Sequence, residues 1–103
     1  MFVHAVYFWL RSDLTVAERA HFVSGLHSLR DIEHVHAGYV GQPAATDRPI
    51  IERGYSYALV LVFTDEAAHD EYQRHTVHER FRETCGSYWH QVRIFDSVSE
   101  EGV

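Results

Sequence analysis

Hydrophobic and polar positions along the chain switch between two periods. Residues Phe2–Leu10 alternate, with Phe2, His4, Val6, Phe8 and Leu10 on one face and Val3, Ala5, Tyr7 and Trp9 on the other. A period of two predicts a strand, and a strand that is apolar on both faces is covered on both. Thr15 and Glu18 then form the capping box T-x-x-E. Behind it Val16, Ala20, Val23, Leu26 and Leu29 recur at helical spacing, which predicts a helix running to about Arg30. His34–Gly41 (HVHAGYVG) reads as a short strand with glycine breaks, followed by the loop QPAATDRP over 42–49. Gly54–Phe63 (GYSYALVLVF) carries the strongest strand signal in the chain. It sets Tyr55, Tyr57, Leu59, Leu61 and Phe63 on one face and Ser56, Ala58, Val60 and Val62 on the other. Thr64 or Asp65 can cap a second helix through TDEAAHDEYQRH, and Tyr88–Asp96 (YWHQVRIFD) is a final strand before a polar tail.

The resulting order, β-α-β-β-α-β, is the ferredoxin-like split motif, an α+β fold. Two helices cover only one face of a four-stranded sheet, yet the first and third strands are apolar on both. The bare face would exceed what a monomer tolerates. A second copy of the chain packing sheet to sheet is therefore expected, giving a homodimer.

Composition narrows the picture. A chain of 103 residues is one domain, here 1–103 with its core at about 2–97, and 46% apolar residues mark it as globular. A net charge of -6 with nine Lys+Arg argues against a phosphate-backbone footprint and against anionic lipid, so neither nucleic acid nor membrane is expected as a partner. MFVHAVYFWL lacks the basic region and small-residue cleavage site of a signal peptide, and the expected location is cytoplasmic. Cys85 is the single cysteine, which excludes an internal disulfide and a CxxC zinc site.

The candidate chemistry lies in DEYQRHTVHERF, residues 70–81, where Tyr72, His75 and His78 fall within seven residues. On one continuous helix Tyr72 and His75 stand about 60° apart, as do His75 and His78, so Tyr72 and His78 stand about 120° apart. His75, His78 and Glu79, or His34 and His36, offer metal-ligating types, but HxxH is a weak signal and HExxH is absent. With nine histidines in the chain, chance pairs are expected; the reading here is no metal and no cofactor. His4, on an apolar strand face, is either a satisfied core histidine or part of a pocket. Cys85 has no histidine indicated beside it and is read as inert.

The segments HAVYFWL (4–10), GYSYALVLVFTDEAAHDEYQRH (54–75), the HxxHxxF spacing from His75 to Phe81, and VRIFD (92–96) together resemble the stress-responsive A/B barrel (Dabb) family of the dimeric α+β barrel superfamily. The resemblance implies a ferredoxin-like protomer whose sheet packs on a twin. Within the family it is similar to polyketide cyclases of the olivetolic acid cyclase type, which implies a cofactor-independent aldol cyclase or lyase. In that pattern, Y-x-x-H-x-x-H-x-x-F, a tyrosine and a histidine act as the acid/base pair, and they fall on Tyr72 and His78, with His4 as a further pocket member. The family commonly has proline where Thr76 stands and a basic residue where Trp9 stands. Convergence of Tyr72 and His78, together with that usual proline, predicts a break in the helix between His75 and His78. His75 is then expected to brace the turn outside the pocket. Tyr57, Phe81 and Trp89 are expected in the pocket wall, suiting an apolar or aromatic carbonyl ligand. The alternatives carried with this reading are a non-catalytic stress-responsive binding module and a monooxygenase of the wider superfamily.

Overall fold

The alternating segment at the start of the chain becomes β1 (Phe2–Leu10), and its register decides which face of the sheet is dry. In the computed structural model, which describes residues 1–100, Phe2, His4, Val6, Phe8 and Leu10 are all buried while the residues between them are half-exposed. Thr15 and Glu18 form both halves of the capping box at the start of α1 (Val16–Arg30). β2 (Ala37–Gly41) and β3 (Tyr57–Phe63) follow, then α2 (Glu66–Arg74), α3 (Thr76–Cys85) and β4 (Trp89–Val98). The sheet order is β2-β3-β1-β4, antiparallel throughout, so the two strands with the longest apolar runs are central. This is the ferredoxin-like arrangement with an additional helix, β-α-β-β-α-α-β. No helix among the described residues is long and apolar enough to cross a membrane.

Several boundaries differ from the sequence reading, each for a local reason. The α1 stripe that is buried is Phe22, Leu26 and Leu29; Val16, in the first turn, is 89% exposed. Val16 precedes the point where the helix reaches the sheet, whereas Phe22 meets Phe8 at a ring separation of 5.1 Å. β2 begins at Ala37 rather than His34, because the Val35 amide donates to the Ile32 carbonyl in a turn. β3 begins at Tyr57 rather than Gly54. Tyr55 lies before the strand and sets its ring against Tyr7, 5.0 Å away, on the opposite face from Tyr57. Gly25, in the middle of α1, marks the close approach of α3. A Cβ there would come within 2.7 Å of the Phe81 ring.

All three helices lie on one face of the sheet, with Phe2, Val6, Phe8, Leu26, Leu59, Leu61, Phe63 and Tyr72 buried in the shared core. The register places Val3, Ala5, Tyr7 and Trp9 of β1 beside Val60 and Val62 of β3, Tyr39 of β2 and Phe95 of β4 on the other face. Tyr39 and Phe95 there are more than half exposed.

Candidate functional site

His75 is where the second helical segment turns. Its backbone is extended (φ -68, ψ 143), its amide donates to the Tyr72 carbonyl, and it is at once the C-cap of α2 and the N-cap of α3. Its Nδ1 accepts the Val77 amide at 3.1 Å, satisfying one of the orphan donors of the new helix. Thr76 is the first residue of α3, the position where proline is tolerated because the amide has no helical partner. The interruption therefore falls at His75, the near edge of the predicted span, and a capping imidazole does there what a proline does in sequences that have one. His75 Nε2 lies 3.4 Å from Glu33 Oε1, and His75 lines a groove between α1 and α3.

The turn carries His78 back over the core. Tyr72 and His78 approach to 5.0 Å between ring centroids, nearly perpendicular, and His4 lies 6.0 Å from Tyr72. His4, Tyr72 and His78 line one cavity of about 260 Å³ between the helices and the β1–β4 side of the sheet, with Phe81 and Trp89 in its wall. Val6, Phe8, Leu29, Leu59, Val92 and Ile94 make the rest largely apolar; Gln73 and Arg82 are its polar contributions. Tyr72 is 1% exposed, and burial alone pushes its hydroxyl above its usual range, so it keeps its proton as a donor. Burial, followed by the Arg82 cation, lowers the His78 pKa from 6.5, leaving the ring neutral at pH 7. His78 Nδ1 is buried without a hydrogen-bond partner.

Directly across the β1–β4 ladder from His4 stands Asp96, and the His4 Nδ1–H donates to Asp96 Oδ1 at 2.6 Å. A carboxylate only accepts, so this bond holds the hydrogen on Nδ1 and leaves Nε2 as the lone-pair nitrogen. Burial nonetheless wins over the neighbouring carboxylate and lowers the His4 pKa. A third histidine, His69 of α2, lies 4.9 Å from His4 and 6.5 Å from Tyr72. It is 7% exposed and its Nε2 is unpartnered.

Five of the six site residues expected from the sequence meet in this cavity: His4, Tyr72, His78, Phe81 and Trp89. Tyr57 does not. It packs on Phe22 and opens onto a separate surface groove beside α1, because it sits at the far end of β3 from Phe63 and Tyr72. The H-x-x-H-E combination is also split, since His78 turns inward while His75 caps a helix and meets Glu33. A wider groove of about 620 Å³ runs between α1 and α3, but its two histidines are already engaged, His21 with the Tyr88 hydroxyl at 2.9 Å and His75 with Glu33. Asp96 and His69 escaped the sequence reading. His69 stands one helical turn before Tyr72, which was the available signal, whereas Asp96 requires the β1–β4 register.

The family model described as Stress responsive A/B Barrel Domain matches residues 2–99. No curated protein sequence matches the chain. Among solved structures, a Dabb family protein with a ferredoxin-like fold from Mesorhizobium loti is 23% identical, with a TM-score of 0.76 and 96% of each chain covered. Hydroxynitrile lyase from Passiflora edulis is 16% identical, with a TM-score of 0.78 over 99% of this chain and 95% of that one. A dimeric ferredoxin-like protein of unknown function from Thermobifida fusca is 16% identical, with a TM-score of 0.75 over 95% and 90%. At these identities the likeness is one of fold.

Proposed function

The chain belongs to the stress-responsive A/B barrel domain family, and we propose that it is a homodimer whose protomers each use the Tyr72–His78 cavity to bind an apolar or aromatic carbonyl compound and act on it by acid/base chemistry. The observation that carries the reading is the pairing of two groups with complementary proton roles in one apolar cavity. Tyr72 is a buried hydroxyl held protonated, and His78 is a half-buried imidazole held neutral, with its Nδ1 buried and unpartnered. His78 takes the proton alpha to the carbonyl, and Tyr72 donates a hydrogen bond to the oxyanion that develops. His4, held by Asp96, presents a second neutral imidazole to the same space. The reaction type is a cofactor-independent cyclisation or lyase cleavage next to a carbonyl, and the name of the Passiflora neighbour, a hydroxynitrile lyase, is in keeping with it. The dimer is supported by the uncovered apolar sheet face and by the dimeric description of the Thermobifida neighbour.

The test is turnover of a panel of aromatic ketones and β-polyketo compounds by the parent chain and by His78→Ala and Tyr72→Phe. Losing a positioned base or oxyanion donor reduces the rate by about 10²–10⁴-fold. Both variants should lose turnover by that factor while remaining folded. Parent-like rates in both variants would place the chemistry elsewhere. Saturable binding of the panel without turnover would favour the non-catalytic binding module.

A further inference from the structure

We propose that the cluster of His4, His69 and Asp96, which adjoins the cavity through His4, is a binding site for one divalent transition-metal cation of the zinc class. One nitrogen of each histidine and a carboxylate oxygen of Asp96 all lie within 4.8 Å of one another. Two imidazoles and a carboxylate are a borderline donor set, suited to zinc and its neighbours rather than to calcium or magnesium. Three protein ligands also leave a coordination position open, as in catalytic zinc sites.

The second observation is His69 itself. Its Nε2 is buried without a hydrogen-bond partner, and leaving a buried polar nitrogen unmet is costly. Its Nδ1 is 3.3 Å from Asp70 Oδ1, the outer contact that commonly orients a ligating imidazole. Phe2 stacks on the ring at 4.4 Å and Phe63 meets its edge at 5.5 Å, which fixes the ring plane. The cation takes the place of the proton now held between His4 Nδ1 and Asp96 Oδ1; His4 takes its hydrogen on Nε2 instead, so the ring stays a neutral imidazole and no net proton is released. Tetrahedral bonds of about 2.0–2.2 Å place two ligand atoms about 3.3–3.6 Å apart, so the present 2.6 Å contact opens by about 0.7–1 Å. Access exists on the sheet edge. β4 is an edge strand and the Asp96 side chain is 41% exposed, while His4 and His69 behind it are buried.

This binding does not rest on the acid/base reading and is measured without any substrate. The full chain, stripped with a chelator, is titrated with Co²⁺ alone. The expected result is one Co²⁺ per chain with visible ligand-field absorption, displaced by Zn²⁺. Altering an outer contact of a metal site already costs about 10–100-fold in affinity. His69→Gln and Asp96→Asn should each weaken binding by at least that factor, and the double change of His34→Gln with His36→Gln should leave it intact. Should either of the first two variants fail to fold, the ring nitrogen shifts of His4 and His69 in the parent chain must move on adding one equivalent of Zn²⁺. Absence of visible absorption at stoichiometric Co²⁺, parent-like titration of folded His69→Gln and Asp96→Asn, or Zn²⁺ shifts confined to other histidines would overturn the proposal.

Discussion

Withdrawing the His78 ring from water, with the Arg82 cation nearby, lowers its pKa from 6.5 in the folded chain, so the unfolded chain takes up this proton at a higher pH than the folded one. By linkage, stability is then full above pH 6.5 and is lost as pH falls below it, levelling once the folded form also protonates. Urea denaturation of the parent should show that loss, to which His4 adds in the same sense, and His78→Gln should reduce it. An unchanged pH dependence in the variant would show that His78 is solvated. Cys85 is buried and its thiol is pushed up by burial, with Thr84 opposing weakly, so a thiol reagent should label it only when urea unfolds the chain. Rapid labelling of the native protein would contradict that burial. At this scale Tyr72 and His78 were singled out through the family pattern Y-x-x-H-x-x-H-x-x-F, which lies in one short stretch of sequence. His69 was hidden among the polar neighbours of DEAAHDE, and Asp96 by a pairing 92 residues apart in sequence.

The break between α2 and α3 determines whether those residues form a site at all, since an unbroken helix keeps Tyr72 and His78 about 120° apart. That a break was needed could be read from the helical angle and the family pattern. That it falls at His75 could not, because it depends on a side-chain nitrogen accepting the Val77 amide. His75→Ala removes this cap and should cost about 0.5–2 kcal/mol, measured by urea denaturation. No loss would mean that the cap is not what holds the turn. Thr76→Pro places proline at the first position of α3 after a residue already extended at ψ 143. Such a change restricts the unfolded chain and should stabilise by about 0.4–1 kcal/mol, whereas a loss would show that the Thr76 amide has a partner. The helix α1 was legible in extent through its capping box. Its buried stripe was not, because which residues reach the sheet depends on the packing of Phe22 against Phe8.

For the molecule as a whole, the face left open by the helices carries Val3, Tyr7, Trp9, Val60, Val62 and Phe95, and this follows from strands that are apolar on both sides. Alternation alone predicted that such a face exists; the register and the position of the helices decide that it is the odd-numbered residues of β1. Light scattering at micromolar concentration should report about twice the chain mass. Phe95→Glu, which sets a charge on that face beside Ala5 of β1, should shift the protein toward monomer. A soluble parent monomer would contradict the assembly. The central claim, that Tyr72 and His78 act together on a carbonyl compound in one cavity, is tested most directly by proton exchange. An aromatic β-diketone is incubated with the protein in D₂O, and the loss of its alpha-proton signal is followed by NMR. The account predicts exchange well above the buffer rate, reduced about 10²–10⁴-fold by His78→Ala and strongly reduced by Tyr72→Phe, with both variants folded. Exchange at the buffer rate, or equal rates in the parent and His78→Ala, would contradict it.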